Sequence, residues 1–175
     1  VPIGKARSRI AMIEIRPART SDIKGIRTLI DAFALQRRLL NKETVTLYES
    51  VQEFTVAVED GVVVGCGALH ILWEDLAEVR SMVVAESHRG SGVGRALLEA
   101  LLANALSVGI KRVFCLTFET EFFGKHGFVE ISDVPVDEET FKQMVRSHDD
   151  GVAEFLDLAR VKQNTLGNTR MLKSF

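Results

Sequence analysis

The chain has 175 residues, 46% of them hydrophobic and 26% charged, with 22 Lys and Arg against 24 Asp and Glu. That is the composition of a globular protein of about one domain, and it excludes a disordered chain. A formal net charge of −2 argues against a broad basic face for nucleic acid, while leaving room for a local cationic pocket around a small anion.

In chain order, residues 1–11 lack the apolar centre of a secretion signal and read as a leftover or frayed arm, with residues 12–175 as a single domain. Met12 to Arg16 alternates as a short strand. Thr20-Ser21-Asp22 supplies capping chemistry ahead of Ile23, Ile26, Leu29, Ile30 and Phe33 at helical spacing. A polar stretch leads to a short helix around Val45 to Val51. Phe54 to Val58 and Val62 to about Trp73 flank Asp60-Gly61, the pair that a tight hairpin turn prefers. A strand over Ala77 to Ala85 precedes the glycine-rich run Arg89-Gly90-Ser91-Gly92-Val93-Gly94, and a long helix follows it to about Gly109. Arg112 to Thr117 reads as a buried strand, Glu121 to His126 as a short helix closed by Gly127, and Asp137 to His148 as a helix capped by Asp137. Val152 to Val161 reads as a strand, with a last short strand near Thr169 to Leu172. The expectation is a mixed α/β sheet, with antiparallel strands first and a crossover helix in the middle. Cys66 and Cys115 lie in apolar runs without metal-ligand spacing, so no disulfide framework and no metal are expected, and a reducing compartment fits. The apolar stretches fall far short of the roughly 18 residues that a membrane span needs.

A strand, a glycine-rich loop and a helix in succession turn backbone N–H groups toward an anion, and the helix start adds partial positive charge. Gly-Lys-Ser/Thr, which a nucleotide P-loop requires, is absent. For a dinucleotide fingerprint, the third glycine comes one residue early and the loop follows four candidate strands. Residues 89–94 do match Arg/Gln-x-x-Gly-x-Gly/Ala, the pyrophosphate loop of the GNAT superfamily of N-acetyltransferases, and the resemblance extends over most of the chain. Ile15-Arg16-Pro17-Ala18 with Ser21-Asp22-Ile23 looks like the first strand and helix of that superfamily, and Asp60 to Gly65 like its second hairpin. Phe122-Phe123-Gly124-Lys125-His126-Gly127-Phe128 resembles its Phe-Tyr-x-x-x-Gly-Phe block. The resemblance implies the GNAT acyltransferase fold, with antiparallel N-terminal strands in a mixed central sheet and flanking helices, and acetyl-CoA as cosubstrate. The donor would be held by Met82, Val83 and Val84 along the pantetheine arm, by Arg89, Gly90, Ser91, Gly92, Val93, Gly94 and Arg95 at the pyrophosphate, and by packing from Phe123. Many members carry a tyrosine at the position of Phe123 to protonate the departing thiolate. Tyr48 is the only tyrosine of this chain and lies in another region, so the general acid stays unassigned.

Within the superfamily, Ile23 to Ile30, Glu53 to Val56, Gly65 to Leu69, Ala77 to Val84, Val113 to Thr117 and, more weakly, Asn168 to Leu172 resemble the acetyltransferase domain of N-acetylglutamate synthases. The resemblance implies transfer of acetyl to the α-amine of L-glutamate, the first step of arginine biosynthesis, in the cytoplasm and in a homodimer. This would be a short form, without the amino-acid-kinase-like domain of the usual enzyme. Gly167 stands where the family has an arginine, so one expected carboxylate clamp is missing. Other acceptors stay open (another amine, or a peptide), as does a non-catalytic acyl-CoA-binding module. Glutamate brings two carboxylates and a protonated amine, so the site needs cations and a proton acceptor. Alternation places Glu78 and Arg80 on one strand face, subject to any bulge. Glu78 occupies the position of the family's proposed base; the plainer reading is a solvated strand carboxylate. Arg80, Lys42 and Lys162 are candidates for the substrate carboxylates, Arg37, Arg38 and Arg170 looser ones, and His70 an alternative base or a structural histidine. Glu119 and Glu121 read as rim or capping charges.

Overall fold

The computed structural model describes residues 12–37, 43–162, 165 and 167–175, so the expected arm over residues 1–11, together with Arg38 and Lys42, lies outside the described residues. The elements follow as β1 (Glu14–Pro17), α1 (Ile23–Arg37), α2 (Thr44–Glu49), β2 (Phe54–Glu59), β3 (Val62–Trp73), β4 (Leu76–Val84) and α3 (Val93–Ser107). After these come β5 (Arg112–Thr117), α4 (Thr120–Lys125), β6 (Val129–Glu130), α5 (Glu138–Met144), α6 (Asp150–Phe155), α7 (Ala159–Lys162) and β7 (Thr169–Ser174). Among the described residues, seven strands form one sheet in the order β1-β2-β3-β4-β5-β7-β6. β1/β2, β2/β3, β5/β7 and β6/β7 pair antiparallel. β4/β5 pair parallel, with Leu76 opposite Arg112 and Glu78 opposite Phe114. A parallel neighbour demands a crossover, and α3 supplies it. Among the described residues, no helix is long and apolar enough to cross a membrane.

The chain divides into two compact units, Val1–Ala68 with Ser81–Leu101, and Leu69–Arg80 with Leu102–Phe175. In the first, Asp60 and Gly61 both take positive φ (50° and 75°), as the predicted two-residue hairpin turn requires. Strand alternation sends Phe54, Val56 and Val58 into a cluster with Ile23, Ile26, Leu29, Ile30 and Leu47, and Ala57 into another with Val93 and Leu97 of α3. Two glycines bring α3 down onto β3. A Cβ at Gly65 would meet the Leu97 side chain at 2.9 Å, and one at Gly67 would meet Leu101 at 2.8 Å. At the sheet margin, the half-buried Arg16 guanidinium grips Asp22 with Nη1–Oδ2 and Nη2–Oδ1 at 2.7 and 3.0 Å. Asp22 also accepts the Arg19 N–H at 2.7 Å, and the Arg16 bond holds its carboxyl below the usual range.

The core of the second unit gathers Leu72, Leu76, Phe114, Met144, Val152, Phe155, Leu156 and Leu172, with Phe114 and Phe155 edge to face at 5.3 Å. One expectation is overturned here: Val152 to Val161 forms α6 and α7, not a strand. Glu154, Asp157 and Arg160 break the stretch into apolar pairs, Val152, Phe155, Leu156 and Ala159 stand at helical rather than alternating spacing, and a cap settles it. The Asp149 side chain accepts the Val152 N–H at 3.1 Å and starts the helix, and Asp157 at φ +56° follows its end. Val152, Phe155 and Leu156 then fall on one buried helical face. Asp137 caps α5 as expected, accepting the Thr140 N–H at 2.7 Å, but the helix stops at Met144. The two-residue strand β6 carries too short a pattern to be foreseen.

Candidate active site

Two polar centres stand out, one in each unit. The first is made of backbone. Between β4 and α3 the chain passes through a 3-10 turn, Glu86–His88, and then the glycine loop. Gly90 and Gly92 take φ of +71° and +88°, where an L side chain is strained, and a Cβ at Gly90 would meet nothing within 4 Å. The first helix-closing bond of α3 runs from the Ala96 N–H to the Gly92 carbonyl at 3.0 Å. The N–H groups of Val93, Gly94 and Arg95 precede it and, like those of any first helical turn, have no intrahelical acceptor. The loop is tied from below: His88 is buried, its Nε2 meets a Glu59 carboxylate oxygen and its Nδ1 the Ser87 hydroxyl at 2.7 Å. Ser91 donates its hydroxyl to the His88 carbonyl. Arg89 is exposed, and Arg95 pairs with Glu99 at 2.8 Å on the outer face of the helix. These residues fit an anionic phosphate group. Glycine conformations, a helix start and an outward arginine converge at one loop. Ahead of it, Met82 and Val84 pack with the α3 cluster and Val83 with the opposite one, so these residues can offer a ligand their backbone. Ser81, at φ +53°, is a left-handed residue inside β4.

The second centre is made of charged side chains. Glu78 on β4 is only 3% exposed, and Arg80 lies on the same face as the alternation predicts, with Nη2 2.8 Å from Glu78 Oε2. Arg80 also forms a two-point bond to Asp149, Nη1–Oδ2 at 2.9 Å and Nη2–Oδ1 at 2.7 Å. Burial works against the Arg80 charge, but the carboxylates of Glu78 and Asp149 outweigh it and hold the guanidinium above its ordinary value. Burial likewise works against the Asp149 carboxylate, and Arg80 prevails, bringing it down to about 2. His70 Nε2 lies 3.6 Å from Asp149 Oδ2. Glu154, one turn further along α6, is pushed up to about 8, first by burial and then by Glu78. Gly151 abuts the pair so closely that a Cβ there would fall 1.9 Å from Glu78 Oε2 and 2.4 Å from Arg80 Nη2. Asp149, Gly151 and Glu154 escape sequence reasoning. The run Asp149-Asp150-Gly151 reads as a turn, and nothing local ties it to a strand 69 residues earlier.

The remaining candidates scatter. Lys162 on α7 pairs with Asp157 at 3.7 Å and is exposed. Arg170 on β7 donates to the carbonyls of Glu154, Phe155 and Asp133, a structural anchor for the end of α6. Phe123 is buried in α4, edge to face with Phe122 at 5.1 Å and with Phe128 at 5.2 Å. Glu121 pairs with Lys125 at 3.6 Å. Cys66 and Cys115 are buried free thiols; burial, helped by Glu78, pushes Cys115 well up and leaves it unreactive. Among the described residues, no group of three His, Cys, Asp or Glu is placed to hold a metal ion.

Comparison with known proteins gives the family. An amino-acid acetyltransferase of Mycobacterium tuberculosis is 55% identical over 161 residues, covering 90% of this chain and 92% of that protein. An amino-acid acetyltransferase of Ralstonia nicotianae is 34% identical over 139 residues, 77% of this chain but 31% of the longer protein. The crystal structure of Rv2747 from M. tuberculosis in complex with CoA and NLQ matches with a TM-score of 0.88 at 53% identity, covering 93% of this chain and 99% of that one. N-acetylglutamate synthase from Neisseria gonorrhoeae, complexed with coenzyme A and N-acetyl-glutamate, matches with a TM-score of 0.74 at 25% identity, covering 93% and 35%. Residues 24–128 match the model of the acetyltransferase (GNAT) family, and the chain belongs to that family.

Proposed function

We propose that the chain is an amino-acid N-acetyltransferase that moves acetyl from acetyl-CoA to the α-amine of L-glutamate, by direct transfer in a ternary complex. The mycobacterial relative carries the activity class in its name, and the gonococcal synthase was crystallised with N-acetyl-glutamate. The observation that carries the catalytic part is Glu78, a buried carboxylate held at Oε2 by Arg80. In this reading Glu78 takes the proton of the substrate ammonium, directly or through a water, and frees the amine lone pair. The amine attacks the thioester carbonyl, a C–N bond forms, the C–S bond breaks, and the thiolate leaves with a proton. N–H groups of the strand near Val83 and Val84 face the developing oxyanion, and the loop from Arg89 to Gly94 with Arg95 takes the pyrophosphate. Phe123 has no hydroxyl to give. A thiol titrates near about 8.5, so the thiolate can leave and take its proton from water.

The substrate carboxylates call for cations. Both Nη groups of Arg80 are committed to Glu78 and Asp149, so Arg80 offers its charge rather than a free fork. Its Nε is buried and has no hydrogen-bond partner among the described residues. Lys42 and Lys162 are the further cations proposed for the substrate carboxylates from the sequence. The enzyme is assigned to the cytoplasm, as a homodimer. Release of CoA thiol from acetyl-CoA, measured against a panel of amines, is the test. Turnover with glutamate above other amino acids, polyamines and peptides is expected. Turnover with another amine and none with glutamate sinks the acceptor assignment, and acetyl-CoA binding without turnover on any amine sinks the enzymatic one.

A further inference from the structure

We infer that Asp149 is a positioning residue for acetyl transfer: through its two-point bond to Arg80, and with Gly151 as a backstop, it fixes the Glu78 carboxylate in its working orientation. The inference rests on the reading of Glu78 as the proton acceptor, and it assigns Asp149 and Gly151 a role exerted through Arg80 and Glu78. A glutamate side chain has three rotatable bonds, and a base must hold its oxygen within hydrogen-bond reach of the proton it removes. Arg80 alone is a poor tether. Its long side chain has several rotamers, and one Nη group suffices for the contact with Glu78. Asp149 removes that freedom by engaging both Nη groups in the planar, bidentate geometry that guanidinium and carboxylate share.

Asp149 is itself over-determined. Its Oδ1 caps α6 at the Val152 N–H, and its own N–H donates to Ser147 Oγ at 3.1 Å. Its carbonyl accepts from Arg160, which also binds Asp150 at 2.8 Å. At the other end of α6, Arg170 holds the carbonyls of Glu154 and Phe155. The helix is therefore a fixed post, and the post reaches Glu78 twice. One contact is electrostatic, through Arg80. The other is steric, at Gly151, where the missing Cβ leaves the space that Oε2 occupies. Arg80, Glu154 and Cys115 act on the carboxylate, and around these stand Asp149 beside Arg80, Asp150 beside Glu154 and His70 beside Asp149. Arg80 donates to Glu78 Oε2, and Asp149 dictates where Arg80 points.

The experiment is a double-mutant cycle on the full chain, with kcat and KM for both substrates and thermal unfolding recorded for each variant. Asp149→Asn keeps the size and the helix cap but loses the charge that orients Arg80. It is expected to lower kcat about 10- to 100-fold, the order that a misplaced catalytic group costs, while KM for acetyl-CoA stays unchanged. In a Glu78→Gln background the same change is expected to lower kcat no further, because nothing is left to position. Gly151→Ala, which keeps every charge, should reproduce the loss of kcat and guards against a folding defect in Asp149→Asn. Wild-type kcat in Asp149→Asn overturns the inference. An equal loss in both backgrounds also overturns it, while leaving Glu78 as the base. If Glu78→Gln itself keeps wild-type kcat, the reading of Glu78 fails, and the inference falls with it.

Discussion

The glycine loop and the Glu78 cluster are two ways of building a polar site. The loop uses main-chain N–H groups and two left-handed glycines, and its immediate support is local, residues 87, 88 and 91 with one contact to Glu59. The cluster uses side chains from two stretches of chain, with charges buried beside one another. A backbone site has no protonation state to lose and fails only when the chain cannot take its shape. A buried charge cluster fails as a whole, since removing one ion leaves its partner uncompensated. Donor binding should therefore depend on pH less than the chemistry does, its titratable support being the His88–Glu59 pair under the loop.

Four outcomes would sharpen or break that contrast, from the largest effect down. Glu78→Gln should lower kcat by about 10²–10⁴, the usual contribution of a general base, with little change in KM for acetyl-CoA; steady-state kinetics at several pH values measures both. Asp149→Ala leaves Arg80 buried and half-paired, and should cost about 3 kcal/mol of stability in denaturant unfolding. Gly92→Ala forces a side chain into the left-handed region at a cost of about 1–2 kcal/mol, so KM for acetyl-CoA should rise about tenfold with kcat falling far less. The smallest effect is in the pH dependence of stability. Glu154, raised to about 8, binds its proton more tightly folded than unfolded, so its contribution is complete below the ordinary carboxylate pKa and is lost as pH rises toward 8. Asp149, lowered to about 2, acts in the opposite sense, its contribution complete above the ordinary value and lost as pH falls toward 2. Glu154→Gln should flatten the decline in Tm between about pH 4.5 and 8 while leaving the acid limb in place.

How much of this was legible in the sequence follows the same division. The loop could be read because its requirements are local: glycines at fixed offsets between a strand and a helix. The hairpin at Asp60-Gly61 was readable for the same reason, as was the sharing of one strand face by Glu78 and Arg80. Asp149 and Gly151 were not, because their meaning lies in a partner far away in the chain. The strand expected over Val152 to Val161 failed on that stretch for a related reason. Val152, Phe155, Leu156 and Ala159 stand at helical spacing there, but the cap that starts the helix is Asp149, which lies ahead of them and is itself held by the distant Arg80. Arg80 illustrates the limit from the other side. Its position was foreseen as a substrate clamp, yet its fork is spent on two carboxylates, one of which the sequence gives no reason to suspect.

Ser81 carries one more consequence. The left-handed residue interrupts the alternation of β4 between Arg80 and Met82, at the boundary between the two compact units. An engineer can therefore treat β4 as two short words rather than one. Residues 76–80 spell out the charged centre and residues 82–84 the packing below the loop, so a library that varies one word need not preserve the reading frame of the other.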